Sequence, residues 1–140
     1  MDLIQLVYVS SLQGEDESHI GAILQSCAER NVKNGITGML LYSQGSFMQV
    51  LEGDATAVRE TYDRICADPR HHLITLLVEE PVDERHFAAW SMGYKHLQAD
   101  DLRAFPQYAN FFNFGTNPHA IHAQAGLALE MLTMFSRGLM

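Results

Sequence analysis

The chain has 140 residues, 47% of them hydrophobic, with a formal net charge of −8 and a pI near 5.2. That length suits one domain with a proper core. The acidic balance, with nine Lys and Arg that form no run, argues against a nucleic-acid partner. No apolar run is long enough to span a bilayer and no cationic leader precedes one, so a cytoplasmic protein with no membrane partner is expected.

Leu3 to Ser10 reads as a strand covered on both sides. Ser18 to Arg30 carries Ile20, Ile23, Leu24, Cys27 and Ala28 at helical spacing, an amphipathic stripe, with Asn31 as a helix stop behind it. Ile36 to Tyr42 and Phe47 to Leu51 are two strands joined through Gly45 as a hairpin. Asp54 caps a helix running to about Ala67, with Val58, Tyr62, Ile65 and Cys66 on its apolar face and Asp68-Pro69 ending it. Leu73 to Val78 is another covered strand, and a last one lies around Trp90 to His96. In the tail, Ala99 to Tyr108 and Pro118 to Ser136 read as two further helices. The order strand, helix, hairpin, helix, strand, strand predicts an α+β sandwich of ferredoxin-like type with two additional C-terminal helices.

Little in the chain invites metal or nucleophilic chemistry. His71-His72 and the His119/His122 pair have no cysteine or suitably spaced carboxylate with them, so solvated or capping roles are expected rather than a metal site. Glu15 to Glu17 read as a dipole-matched helix start. Cys27 and Cys66, the only cysteines, are expected as reduced, buried thiols. No phosphate-cradling glycine pattern and no nucleophile elbow is present.

One residue is out of place. In the second hairpin strand Phe47, Gln49 and Leu51 share one face, and Met48 and Val50 the other, so Gln49 is an amide in a strand covered on both sides. Left without partners it would cost about 1–3 kcal/mol. An amide both donates and accepts, which suits the polar edge of a ligand. Tyr8 on the first strand and Asn31 behind the first helix could join it. Taken singly they are a core tyrosine and a helix stop. Taken together they suggest an apolar slot for a flat ring with a polar edge.

The motifs LVYVS (Leu6 to Ser10), RNVKNGITGMLLYSQGSFMQVLEG (Arg30 to Gly53), the Tyr62 to His71 run and FAAWSMGY (Phe87 to Tyr94) together resemble a BLUF domain, a blue-light sensor using FAD. The resemblance covers residues 1–97 as the flavin-binding photosensory domain and leaves 98–140 as a helical cap for output and oligomerisation, as in short stand-alone members. It implies non-covalent FAD, with FMN or riboflavin as alternatives. Carried over, Tyr8 is the photoactive tyrosine, Gln49 links it to the flavin, and Asn31 holds the ring's carbonyl edge. Arg64 and Asp68 match polar residues at the pyrimidine end, and Ile23 matches an isoleucine that packs on the ring. Trp90 and Met92 match a tryptophan-x-methionine pair that passes the change on, while Arg30 stands where some members carry asparagine or histidine. The implied mechanism has Tyr8 give up an electron and a proton under light, leaving Gln49 in a changed hydrogen-bonding state.

The resemblance thus implies a photoreceptor that signals through protein contacts, itself not an enzyme, as a homo-oligomer with a downstream protein partner. Two other classes stay open on the residues alone: a small ferredoxin-like enzyme such as a flavin-dependent reductase, and an interaction module without flavin.

Overall fold

The computed structural model describes residues 2–12, 20–43, 46–67, 71–87, 93–96, 130 and 132–133. Seven elements follow one another: β1 (Leu3–Leu12), α1 (Ile20–Asn34), β2 (Thr37–Ser43), β3 (Ser46–Asp54), α2 (Ala55–Ala67), β4 (His71–Pro81) and β5 (Gly93–His96). The strands form a single sheet in the order β4-β1-β3-β2-β5. The first four pair antiparallel, and β5 adds to β2 in parallel. Placing β3 between β1 and β2 makes each helix a crossover over a central strand, the split β-α-β arrangement of a ferredoxin-like fold. This is the expected α+β plan. The two further C-terminal helices lie outside the described residues, apart from Glu130, Leu132 and Thr133, which are helical, with Leu132 fully buried.

Residue parity along the strands explains the core. On one face Ile4, Leu6 and Tyr8 of β1 and Leu51 of β3 cluster with Ile36 and with Val58 of α2. Ala55, Ala57, Tyr62 and Ile65 of α2 and Ile74 and Leu76 of β4 close over them. The opposite parity is equally dry: Val7, Val9, Met39, Leu41, Met48 and Val50 are all buried. Strands buried on both faces read as nearly continuous apolar runs.

The element ends depart from the sequence reading in ways that have local causes. Helix α1 continues past Arg30 to Asn34, so Asn31 lies inside it rather than behind it. The apolar stripe ends at Ala28, but the stop is Gly35, whose φ of 71° is left-handed. The Ile36 N–H donates to the Asn31 carbonyl at 2.9 Å, the 6→1 bond of a Schellman cap. β4 begins at His71 rather than at Leu73, so His71 and His72 lie in the strand, opposite Leu12 and Ser11. Cys66 is free and exposed, not buried, because it falls one position off the α2 stripe set by Val58, Tyr62 and Ile65. Ser43 and Ser46 pair directly, while the turn expected at Gly45 lies outside the described residues.

Gly35→Ala should lower stability by about 1–2 kcal/mol, the cost of a left-handed backbone for an L-residue with a Cβ. Nothing lies within 4 Å of that Cβ, so the effect is purely conformational. Thermal melting followed by circular dichroism should fall by roughly 3–8 °C, and Gly35→Asn should recover part of it, since asparagine tolerates this region.

Candidate functional site

Tyr8 of β1 and Gln49 of β3 are direct cross-strand partners in the middle of the sheet. Both side chains project to the α2 face and both are buried, at 1% and 2% exposure. The Tyr8 hydroxyl donates to Gln49 Oε1. Beside Tyr8 the β1–β4 ladder is irregular, with register shifts between Val7 and Tyr8 and between Val9 and Ser11. Such bulges re-aim a side chain and free a strand locally from strict pairing. The tyrosine ring also meets Tyr62 of α2, with ring centroids 5.6 Å apart and planes tilted by 56°.

The other residues singled out in the sequence fall into three groups. Asn31 is buried in the last turn of α1, and the Ile36 that its carbonyl caps belongs to the same core cluster as Tyr8. Arg64, in the last turn of α2, is exposed, as is Arg30 on α1. Ile23 lies in α1 by its backbone, while its side chain, like Asp68, Trp90 and Met92, is outside the described residues. Among the described residues no buried side-chain nitrogen or oxygen lacks a partner, and no group of His, Cys, Asp and Glu could hold a metal ion.

A second polar centre was not singled out in the sequence. Glu52 of β3 is fully buried on the face opposite Gln49. Its Oε2 accepts from Gln5 Nε2 at 2.9 Å and from the His86 N–H at 3.0 Å, and its Oε1 accepts from the Phe87 N–H at 2.7 Å. A carboxylate is acceptor-only, and every one of these partners is a donor. Arg85, one residue earlier, donates through Nη1 to Thr37 Oγ1 at 2.9 Å and to the Glu52 carbonyl at 3.0 Å, and through Nη2 to the Gly35 carbonyl at 2.7 Å. The signal for Glu52 was the one used for Gln49: a polar residue at a covered position, here in register with Gln5.

Chemically, the Tyr8–Gln49 pair is an oxidisable phenol hydrogen-bonded to a reversible donor–acceptor group away from water. The hydroxyl can donate or accept, and so can the amide, so either group is chemically able to take either side of the hydrogen bond. Tyr62 is tuned differently. Burial raises its ionisation above the ordinary tyrosine value, with further contributions from a hydrogen bond to the Cys66 thiol and from the charges of Cys66, Asp63 and Glu79.

The family model for BLUF, sensors of blue-light using FAD, matches residues 3–93. Photoactivated adenylate cyclase subunit beta of Euglena gracilis is 36% identical over 92 residues, 64% of this chain and 11% of that protein. The blue light- and temperature-regulated antirepressor BluF of Escherichia coli (strain K12) is 32% identical over 102 residues, 72% of this chain and 24% of its own length. The chain therefore spans about a tenth to a quarter of these curated relatives. Among solved structures, the dark state of the BLUF protein BlrB superposes with a TM-score of 0.72 at 33% identity, covering 92% of this chain and 97% of that one. The ground state of BlsA does so with a TM-score of 0.76 at 27% identity, covering 94% and 87%.

The raised Tyr62 ionisation has a testable sign. Its contribution to stability is fully present below pH ~10, where the phenol is neutral in both folded and unfolded chains. It is lost as pH rises above that, because only the unfolded chain then gains by ionising. Denaturation midpoints should fall more steeply above pH ~10 in the wild type than in Tyr62→Phe, and equal slopes would remove Tyr62 from the account.

Proposed function

The chain belongs to the BLUF family of sensors of blue light using FAD, and we propose that it is a photosensory switch in which Tyr8 and Gln49 carry the light-dependent change. The observation that supports this most strongly is the buried hydrogen bond between these two register partners. The residues present suit the cofactor, since a flat apolar ring with a polar edge calls for buried amides beside apolar packing, and Gln49 and Asn31 are buried amides near the Tyr8 cluster. FAD supplies blue-light absorption and an electron-accepting ring. Tyr8 would give up and then recover an electron and a proton, and its O–H already lies against Gln49 Oε1, so the proton has an acceptor in contact. Gln49 then exchanges its donor and acceptor sides, by rotation or tautomer change, and Tyr8 satisfies either arrangement.

In this reading Asn31 anchors the ring's carbonyl edge and Ile23 packs on the ring. Arg64, whose side chain is exposed, and Asp68 hold the pyrimidine end. Trp90 and Met92 carry the change onward. Residues 1–97 form the sensor, and 98–140 form the output and oligomerisation segment. The output is a change in protein–protein contact rather than catalysis. One relative is named a blue light- and temperature-regulated antirepressor, a name that supports a regulatory output, while the cyclase relatives share only a small part of their length with this chain. No helix among the described residues is long and apolar enough to cross a membrane, and the proposed setting is the cytoplasm.

Blue light should shift the flavin band of the purified, FAD-loaded protein slightly and reversibly to the red. Tyr8→Phe and Gln49→Leu should both keep FAD and lose that shift, because each removes one partner of the switch while filling similar space. A normal photocycle in either would reassign the roles. Asn31→Ala should weaken FAD binding by about 0.5–1.5 kcal/mol, roughly 2- to 12-fold in Kd, while the retained flavin still shifts. Light scattering on wild type should report a dimer or larger assembly, and a monomer at tens of micromolar in dark and light would leave residues 98–140 as a simple cover.

A further inference from the structure

Building on that photosensory reading, we propose that Glu52 is a positioning residue: with Arg85 it clamps residues 82–87 to the strand that carries Gln49, so that movement of that strand is passed to the chain leading into β5. The register carries the argument. Tyr8 with Gln49 and Gln5 with Glu52 are two cross-strand pairs of the same strands, three positions apart. An odd spacing puts them on opposite faces. β1 and β3 therefore hold the Tyr8–Gln49 pair on one side and a buried amide–carboxylate pair, Gln5 with Glu52, on the other, and a shift in one strand acts on both.

The clamp is directional. Residues 82–87 form no strand, so their backbone groups depend on outside partners. Val82 N–H donates to the Leu3 carbonyl at 3.0 Å. The consecutive N–H groups of His86 and Phe87 meet the two oxygens of Glu52, which admits a single orientation of the chain. Arg85 joins the carbonyl after α1, the hydroxyl of Thr37 on β2 and the carbonyl of Glu52 on β3. Asp83 and Glu84 between these anchors are exposed. A fully buried carboxylate is a costly way merely to hold a surface segment, since apolar packing would do so without desolvating a charge. What the carboxylate adds is a fixed geometry between β3 and the chain that runs on to β5, which itself pairs with β2.

The chain's single tryptophan, Trp90, lies in sequence between the clamp and β5, so its fluorescence reports on this stretch. The experiment measures acrylamide quenching of Trp90 in the FAD-loaded full chain, in darkness and under blue light, beside the flavin absorption shift. In Glu52→Gln the amide offers one acceptor where two oxygens served, so either His86 or Phe87 loses its partner. The flavin shift should keep its wild-type size while the light–dark difference at Trp90 shrinks about threefold or more. Arg85→Gln, at a partly exposed position that tolerates change, should reduce it in the same direction and stands in if Glu52→Gln does not fold. A folded variant with the wild-type Trp90 difference overturns the proposal. So does a wild type whose flavin shifts without any change at Trp90, and so does loss of the flavin shift in Glu52→Gln, which would place Glu52 in the switch itself. Absence of the shift from the wild type is a separate result, read in the flavin band, and counts against the photosensory reading instead.

Discussion

A phenol and an amide facing each other in a sheet that is dry on both sides is the constraint on which the rest of this structure depends. Neither Tyr8 nor Gln49 can turn to water. Each must be satisfied inside the protein, at a cost of about 1–3 kcal/mol for a group left unpaired. Their position as register partners supplies that satisfaction directly. It also limits what the pair can do to exchanges in which every donor still meets an acceptor. A pair so confined has its hydrogen-bonding choices set by the sheet around it rather than by solvent.

The same two strands meet a second requirement on their other face, where Glu52 is as buried as Gln49. The neighbourhood of this carboxylate is a junction of several elements. Gly53 brings β3 close enough to the end of α1 that a Cβ there would sit 3.1 Å from the Gly35 carbonyl. That carbonyl also accepts from Arg85. The left-handed Gly35, the close approach at Gly53 and the Arg85 guanidinium thus hold the end of α1, the end of β3 and residues 82–87 together. Asn31 sits one helical turn back from this junction, so its placement depends on it.

Relatives put one sensor module to different ends. It occurs within adenylate cyclases and within an antirepressor, and it matches chains of nearly its own size such as BlrB and BlsA. A fold reused in this way carries its function in a local site, while the surface around it can differ between proteins. Tyr8 and Gln49 are local in that sense, since both come from adjacent strands of one sheet.

Much of this was legible in the order of residues. The strand and helix order, the covered strands and the anomaly at Gln49 follow from periodicities of two and 3.6 and from the rule that buried polar groups need partners. The family resemblance rests on local motifs, and those survive in a linear reading. The extent of α1 was missed because an apolar stripe marks the buried face and not the last helical turn, which Gly35 ends. Cys66 was misplaced because one position along a helix turns a side chain by about 100° and off the core. Glu52 carries the same signal as Gln49, a polar residue at a covered position, but two of its three partners are backbone N–H groups of His86 and Phe87, which lie more than thirty residues away and have no side-chain signature. Sequence by itself determined which residue types are present and the face of each strand on which they fall, because those depend on neighbours along the chain. Only the tertiary structure decided that Tyr8 meets Gln49 and that Glu52 meets residues 86–87, because register and long-range hydrogen bonds are set by how distant segments pack.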